Sequence, residues 1–161
     1  MARFFRTIPP PNLSPGKDYT GYRAGVREDF ECCCAYCLRH EEWGGGAEHY
    51  ELDHFKPKKL FPELVNDFNN IYYCCHRCNK RKHCSWPSER ELNSGAAFVD
   101  LCQDNFNNHY LVLENGKLEF LTRAAEYTAK KLRLNSDEMI KQRANILRDS
   151  LKIDEPRWRP S

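Results

Sequence analysis

The sequence predicts an α+β domain stapled by a metal, and three observations lead there. Two C-x-x-C pairs, Cys34/Cys37 and Cys75/Cys78, are separated by residues 38–74; such pairs are the spacing of a zinc site. Asn115 and Gly116 lie between two strand-like runs within 110–122, the strongest short-range hairpin signal. Two helical patterns follow that hairpin, so strands and helices are segregated along the chain.

The chain has 161 residues, enough for one domain with its own core. We divide it into an extended arm over 1–20, a zinc-bearing core over 21–97 and a C-terminal extension over 98–161. The arm is rich in Pro and Gly, with Pro9, Pro10, Pro11, Pro15 and Gly16. At its tip Arg3, Phe4, Phe5 and Arg6 are placed to dock on the body or on a partner, or to fray. Residues 21–31 read as a short helix with Val26 and Phe30 on one face. Gly44, Gly45 and Gly46 mark a flexible loop, and residues 84–97 read as irregular. After the hairpin, Thr122 caps a helix running to about Leu134. Asn135, Ser136 and Asp137 offer a cap for a second helix over about 137–151, with Met139, Ile140, Ile146, Leu147 and Leu151 inward.

Composition limits the function. Apolar residues make up 40% and charged residues 30%, a polar balance. No apolar run approaches the ~20 residues of a membrane span. The first residues are basic, but the prolines interrupt any signal-peptide core. We therefore expect a cytoplasmic protein with no membrane partner. In a reducing compartment, nine clustered cysteines read as metal ligands rather than disulfides. Net charge is only +2, so attraction for a polyanion must be local.

Two residues between thiolates let one tight turn aim both sulfurs at one ion, and two such turns complete a tetrahedron. Cys34, Cys37, Cys75 and Cys78 are the expected Zn²⁺ ligands, and four thiolates leave no open position, so this zinc is structural. Cys32, Cys33 and Cys74 adjoin these ligands but complete no second pair. Cys84 and Cys102 stand alone and read as small buried hydrophobes. His76 and His83 are substitutes the site does not need.

Between and within the knuckles runs the string C-x-x-C … L-D-H-F-x-P … N-N-I-Y-Y-x-C-x-x-C-N-x-x-K. This string resembles the HNH endonuclease family, of the ββα-metal fold, over about residues 30–84. His54 stands at the first H, Asn70 at the central N and Asn79 at the last position, where asparagine replaces histidine. The resemblance implies a metal-dependent endonuclease. Asp53 and Asn79 would put two oxygens on one Mg²⁺ or Mn²⁺. His54 would take a proton from the attacking water, staying off the metal to do so. Asn70 would pin the loop or the histidine's backbone. Lys82, about one helical turn beyond Asn79, would contact phosphate.

The local charge agrees. Within residues 56–82, Lys56, Lys58, Lys59, Arg77, Lys80, Arg81 and Lys82 face only Glu63 and Asp67. Basic side chains beside a phosphate-cleaving site read as phosphate contacts, which fix position but read no sequence. Tyr72 and Tyr73 are expected as one core and one surface strand residue. The substrate is DNA or RNA, with DNA preferred. A zinc-stapled module that binds nucleic acid or protein without cutting would share the knuckles and the basic patch, but would not need Asp53, His54 and Asn79 together. The segment beyond the core is similar to small bacterial HNH proteins of retron-linked or Septu-type anti-phage systems. Some of these are encoded beside ATPases, which implies an ATPase partner that gates the nuclease.

Overall fold

A computed structural model describes residues 3–8, 12–13 and 17–153, with side chains to residue 149. The prolines of the arm, Gly16 and the Leu151 side chain lie outside these residues. Two antiparallel strands, β1 (Tyr50–His54) and β2 (Ile71–Cys75), form the central hairpin. Their register pairs Tyr50 with Cys75 and His54 with Ile71. A short helix, α1 (Arg23–Asp29), precedes them and lays Val26 against β2. Directly after β2 the chain turns into α2 (His76–Lys82). This strand–strand–helix unit is the ββα arrangement that the resemblance implied.

All five residues of β2 are buried. That corrects the expectation for the tyrosines, since Tyr72 and Tyr73 are both in the core. The strand is covered on both faces, so the half-exposed alternation of a surface strand does not apply. Tyr72 packs between Phe30 and Phe55, with centroids 5.0 and 4.7 Å away, and Tyr73 stacks on Tyr50 at 5.1 Å. Tyr73 also donates to the buried Glu41 carboxylate at 2.6 Å, which pairs in turn with Arg27.

The described part of the arm docks on the body. Phe4 is buried against Phe30 at 4.7 Å and donates its backbone N–H to the Leu101 carbonyl. Arg6 lies over the Phe68 ring at 4.2 Å and donates to the carbonyls of Ile71 and Phe68. Farther on, residues 84–97 are not wholly irregular. Ser88 and Glu91 form a reciprocal capping box that starts α3 (Glu89–Asn93).

The C-terminal part follows its punctuation. A short α4 (Phe106–His109) leads into β3 (Tyr110–Val112), which pairs with β4 (Leu118–Phe120). Gly116 holds φ 84°, and a Cβ there would lie 2.4 Å from the Ile140 carbonyl oxygen. Glycine is thus required by the turn and by the helix behind it. Thr122 accepts from Ala125 N and starts α5 (Arg123–Leu132), two residues shorter than expected because Arg133 turns left-handed. The last helix, α6 (Asp137–Ile153), buries Met139. Arg143 ties it to the hairpin through the Gly116 carbonyl and to the segment after α5 through the Leu134 carbonyl.

Candidate active site

The sulfur cluster forms where β2 meets α2. Cys75 ends the strand and Cys78 lies within the first turn of the helix. Cys34 and Cys37 bracket a turn closed by Leu38 N–H to the Cys34 carbonyl, and Ala35 N–H ties it to Tyr73 of β2. The four sulfurs all lie within 4.8 Å of one another, with Cys37 and Cys75 at 3.8 Å. A tetrahedral zinc with bonds of about 2.3 Å spaces its sulfurs by about 3.8 Å. Burial, then the neighbouring sulfurs, pushes the Cys34 thiol well up, and its sulfur neighbours and burial do the same to Cys78. Four sulfurs brought this close are the donor set of a tetrahedral divalent metal such as zinc. Among the described residues no other group of three or more His, Cys, Asp or Glu could hold an ion.

The remaining cysteines stay apart from the cluster. Cys74 is fully buried on β2, one residue before Cys75, and Cys102 is half-buried with its thiol pushed up to about 11 by burial. Cys84 corrects the expectation of a buried hydrophobe: it is exposed, because it follows the end of α2, and its sulfur is 3.0 Å from His83 Nδ1.

Beside the sulfur cluster, β1, α2 and the segment after β1 wall a cavity of about 640 Å³. Asp53, His54 and Asn79 all line it. Glu51 and Asp53, two residues apart on β1, share the face that meets α2. Asp53 is buried, and its Oδ2 accepts from Tyr36 Oη at 2.5 Å and from Lys82 Nζ at 2.9 Å. Burial pushes the Asp53 carboxyl up, and Lys82 and Tyr36 oppose that shift.

His54 presents Nε2 to the Val65 carbonyl at 2.9 Å. A carbonyl only accepts, so Nε2 carries a hydrogen, and in the neutral ring that leaves the lone pair on Nδ1. The Tyr19 ring packs edge-on against the imidazole at 4.5 Å. Asn70 clamps the segment that supplies Val65. Its Oδ1 accepts from Lys56 N at 2.8 Å, while Nδ2 donates to the carbonyls of Lys56 and Leu64.

Asn79 donates Nδ2 to Glu51, a carboxylate that can only accept, so the amide oxygen is left as the free acceptor. The other Glu51 oxygen lies 2.6 Å from His76 Nδ1. Burial pushes the Glu51 carboxyl up, but the bonds from His76 and Asn79 outweigh it and hold it low.

The basic residues divide into two groups. Lys58, Lys59 and Lys80 line the cavity, and Lys56 is exposed nearby with Nζ over the Phe61 ring at 5.5 Å. The other three lie off the cavity lining, and Lys82 is a correction. Lys82 is fully buried and donates to the His54 carbonyl at 2.8 Å as well as to Asp53, so it is no phosphate contact. It lies four residues after Cys78, on the buried stripe of α2. Arg77 reaches Glu138 and the Met139 sulfur of α6, and Arg81 donates to the Leu132 carbonyl at the end of α5. Both join helices. Tyr19, Tyr36, Glu51 and the Val65 carbonyl were not legible from spacing. Glu51 alone left a signal, since it stands two residues before Asp53 on a predicted strand.

Two comparisons with known proteins bear on this region. Residues 34–85 match the family model described as HNH endonuclease. A stretch of 67 residues is 31% identical to the Septu protein PtuB of Bacillus thuringiensis, covering 42% of this chain and 24% of that protein. The match therefore spans about a quarter of that relative's length. No helix among the described residues is long and apolar enough to cross a membrane.

Proposed function

We propose, taking residues 34–85 as an HNH-family segment with a nuclease-type function, that this chain hydrolyses DNA phosphodiester bonds at the cavity beneath β1 and α2. The observation that carries the reading is the bond from His54 Nε2 to the Val65 carbonyl, on a wall shared with Asp53 and Asn79. That bond commits the imidazole to the tautomer whose Nδ1 is basic. Nδ1 accepts a proton from water as the water oxygen bonds to phosphorus, the P–O3′ bond breaks, and the leaving 3′-oxygen takes a proton from solvent. Asn70 and Tyr19 keep the ring in place through the loop and by direct packing. Asp53 and Asn79 are the residues that would hold Mg²⁺ or Mn²⁺, with one oxygen each. When bound, that cation supplies positive charge to the phosphate and to the leaving oxygen. Lys58, Lys59 and Lys80 draw the backbone of the polyanion to the cavity mouth. Zinc at Cys34, Cys37, Cys75 and Cys78 fixes the frame.

The relative named a Septu protein supports a place in anti-phage defence, and we extend that to an ATPase partner that gates cleavage. Plasmid nicking with Mg²⁺ or Mn²⁺ tests the chemistry. Wild type nicks, while His54→Ala, which removes the general base, and Asp53→Ala, which removes a cation ligand, each lower the rate by at least about a hundredfold. Nicking that survives both substitutions unchanged removes the cavity as the active site. The second reading, a non-cutting zinc-stapled binding module, draws on the Lys82–Asp53 pair, which neutralises the carboxylate. It requires salt-dependent retention of DNA with no cleavage at any divalent cation concentration.

A further inference from the structure

We propose that Tyr36 is a positioning residue for Asp53, so that the zinc knuckle sets the geometry of the carboxylate serving the catalytic cation. The proposal rests on the reading of Asp53 as a cation ligand. Tyr36 stands between Cys34 and Cys37, and its ring is buried. Its hydroxyl reaches out of the knuckle to Asp53 Oδ2 at 2.5 Å. Lys82 meets the same oxygen at 2.9 Å. Both contacts fall on Oδ2 and so leave Oδ1 for a cation in the cavity that Asp53 lines.

Lys82 alone would not fix the carboxylate. An ammonium has three donors, one of them spent here on the His54 carbonyl, and its point charge satisfies either carboxylate oxygen. The phenol breaks that symmetry, because a rigid ring allows its hydroxyl one position. The ring itself is fixed from three sides. Zinc-binding cysteines flank it in sequence, Ala35 N–H binds the Tyr73 carbonyl, and Phe98 packs at 6.4 Å. Lys82 Nζ lies over the rings of Phe98 and Tyr36 at 5.5 and 6.0 Å, completing a cage of fixed walls. Emptying the sulfur site therefore frees the phenol, and with it the carboxylate.

Tyr36→Phe removes the donor and keeps the ring. We expect one zinc per chain by mass spectrometry, as in wild type, and a roughly tenfold rise in the Kd for Mn²⁺, read by the electron paramagnetic signal of free Mn²⁺ without nucleic acid. An unchanged or tighter Mn²⁺ Kd, with zinc intact, overturns the proposal. A second measurement does not depend on how the variant folds. 3-Fluorotyrosine at position 36 of the otherwise native chain should shift its fluorine resonance as Mg²⁺ saturates. A resonance that Mg²⁺ does not move also overturns it. Asp53→Asn in the same Mn²⁺ titration separates the two levels. If it binds Mn²⁺ as wild type does, the cation reading itself fails and the Tyr36 inference goes with it. If it loses Mn²⁺ while Tyr36→Phe does not, only the inference fails.

Discussion

Lys82 has no contact with solvent, and its ammonium faces the Asp53 carboxylate and the His54 carbonyl. Lys82→Met keeps most of the stem and removes the charge. Breaking one partner of a buried pair leaves the other charge uncompensated, at a cost of about 3–5 kcal/mol. For a chain of this length each kcal/mol lowers Tm by roughly 2–4 °C, so the drop at neutral pH should be roughly 6–20 °C. The deficit must depend on pH. Burial already raises the Asp53 carboxyl, and loss of the ammonium raises it further. A carboxyl raised on folding is destabilising above its unfolded pKa of about 3.9 and neutral below it. The deficit is therefore full near pH 7 and shrinks as pH falls towards 4. Adding Asp53→Asn to Lys82→Met should recover much of the loss, since the two groups are in contact. The assay is thermal unfolding at fixed saturating zinc from pH 4 to 8. A Tm within about 2 °C of wild type at pH 7 would refute the argument.

Four further outcomes follow from the structure. Cys37→Ser should lower zinc content and Tm together, because the sulfur cluster contributes its binding energy to folding; a stable, zinc-free variant would contradict this. Lys80→Ala should weaken DNA binding and reduce the log–log salt slope by about one, as expected for one phosphate contact. Arg81→Ala should leave that slope alone and instead destabilise by about 1 kcal/mol through the Leu132 carbonyl. Glu41 is held down to about 2 by its bond to Arg27, with Tyr73 assisting against burial. A carboxyl depressed on folding adds stability above its unfolded pKa and loses it as pH falls towards 2. Glu41→Gln should accordingly flatten the acid limb of the stability curve between about pH 4.5 and 2.

Much of the fold was legible because its signals are local. C-x-x-C spacing depends on one turn, Asn115 and Gly116 on one hairpin, and Thr122 on one cap. The register of the two cysteine pairs followed from counting alone. The site was legible as residue types but not as contacts. Lys82 reads as surface in a basic run, yet the phase of α2 is set by Cys78, and four residues on lies the same buried stripe. Arg77 and Arg81 sit in the same run, and only the placement of α5 and α6 takes them from the cavity. Tyr36 was visible only as the filler of a knuckle. Its bond to Asp53 spans two elements that no period connects. Both tyrosines of β2 are buried because covering elements approach from each side, which alternation within one strand does not report. Val65 acts through its backbone, where side-chain identity carries no signal.

The central claim is that Asp53 and Asn79 hold one divalent cation at a place distinct from the sulfur cluster. Crystals grown with zinc and soaked in Mn²⁺, with anomalous data collected at the edges of both metals, test it directly. The account predicts a zinc peak among Cys34, Cys37, Cys75 and Cys78 and a separate manganese peak touching Asp53 Oδ1 and the Asn79 amide oxygen, lost in Asp53→Asn. Manganese seated instead on Glu51 and His76, or absent from the cavity at saturating concentration, would contradict it.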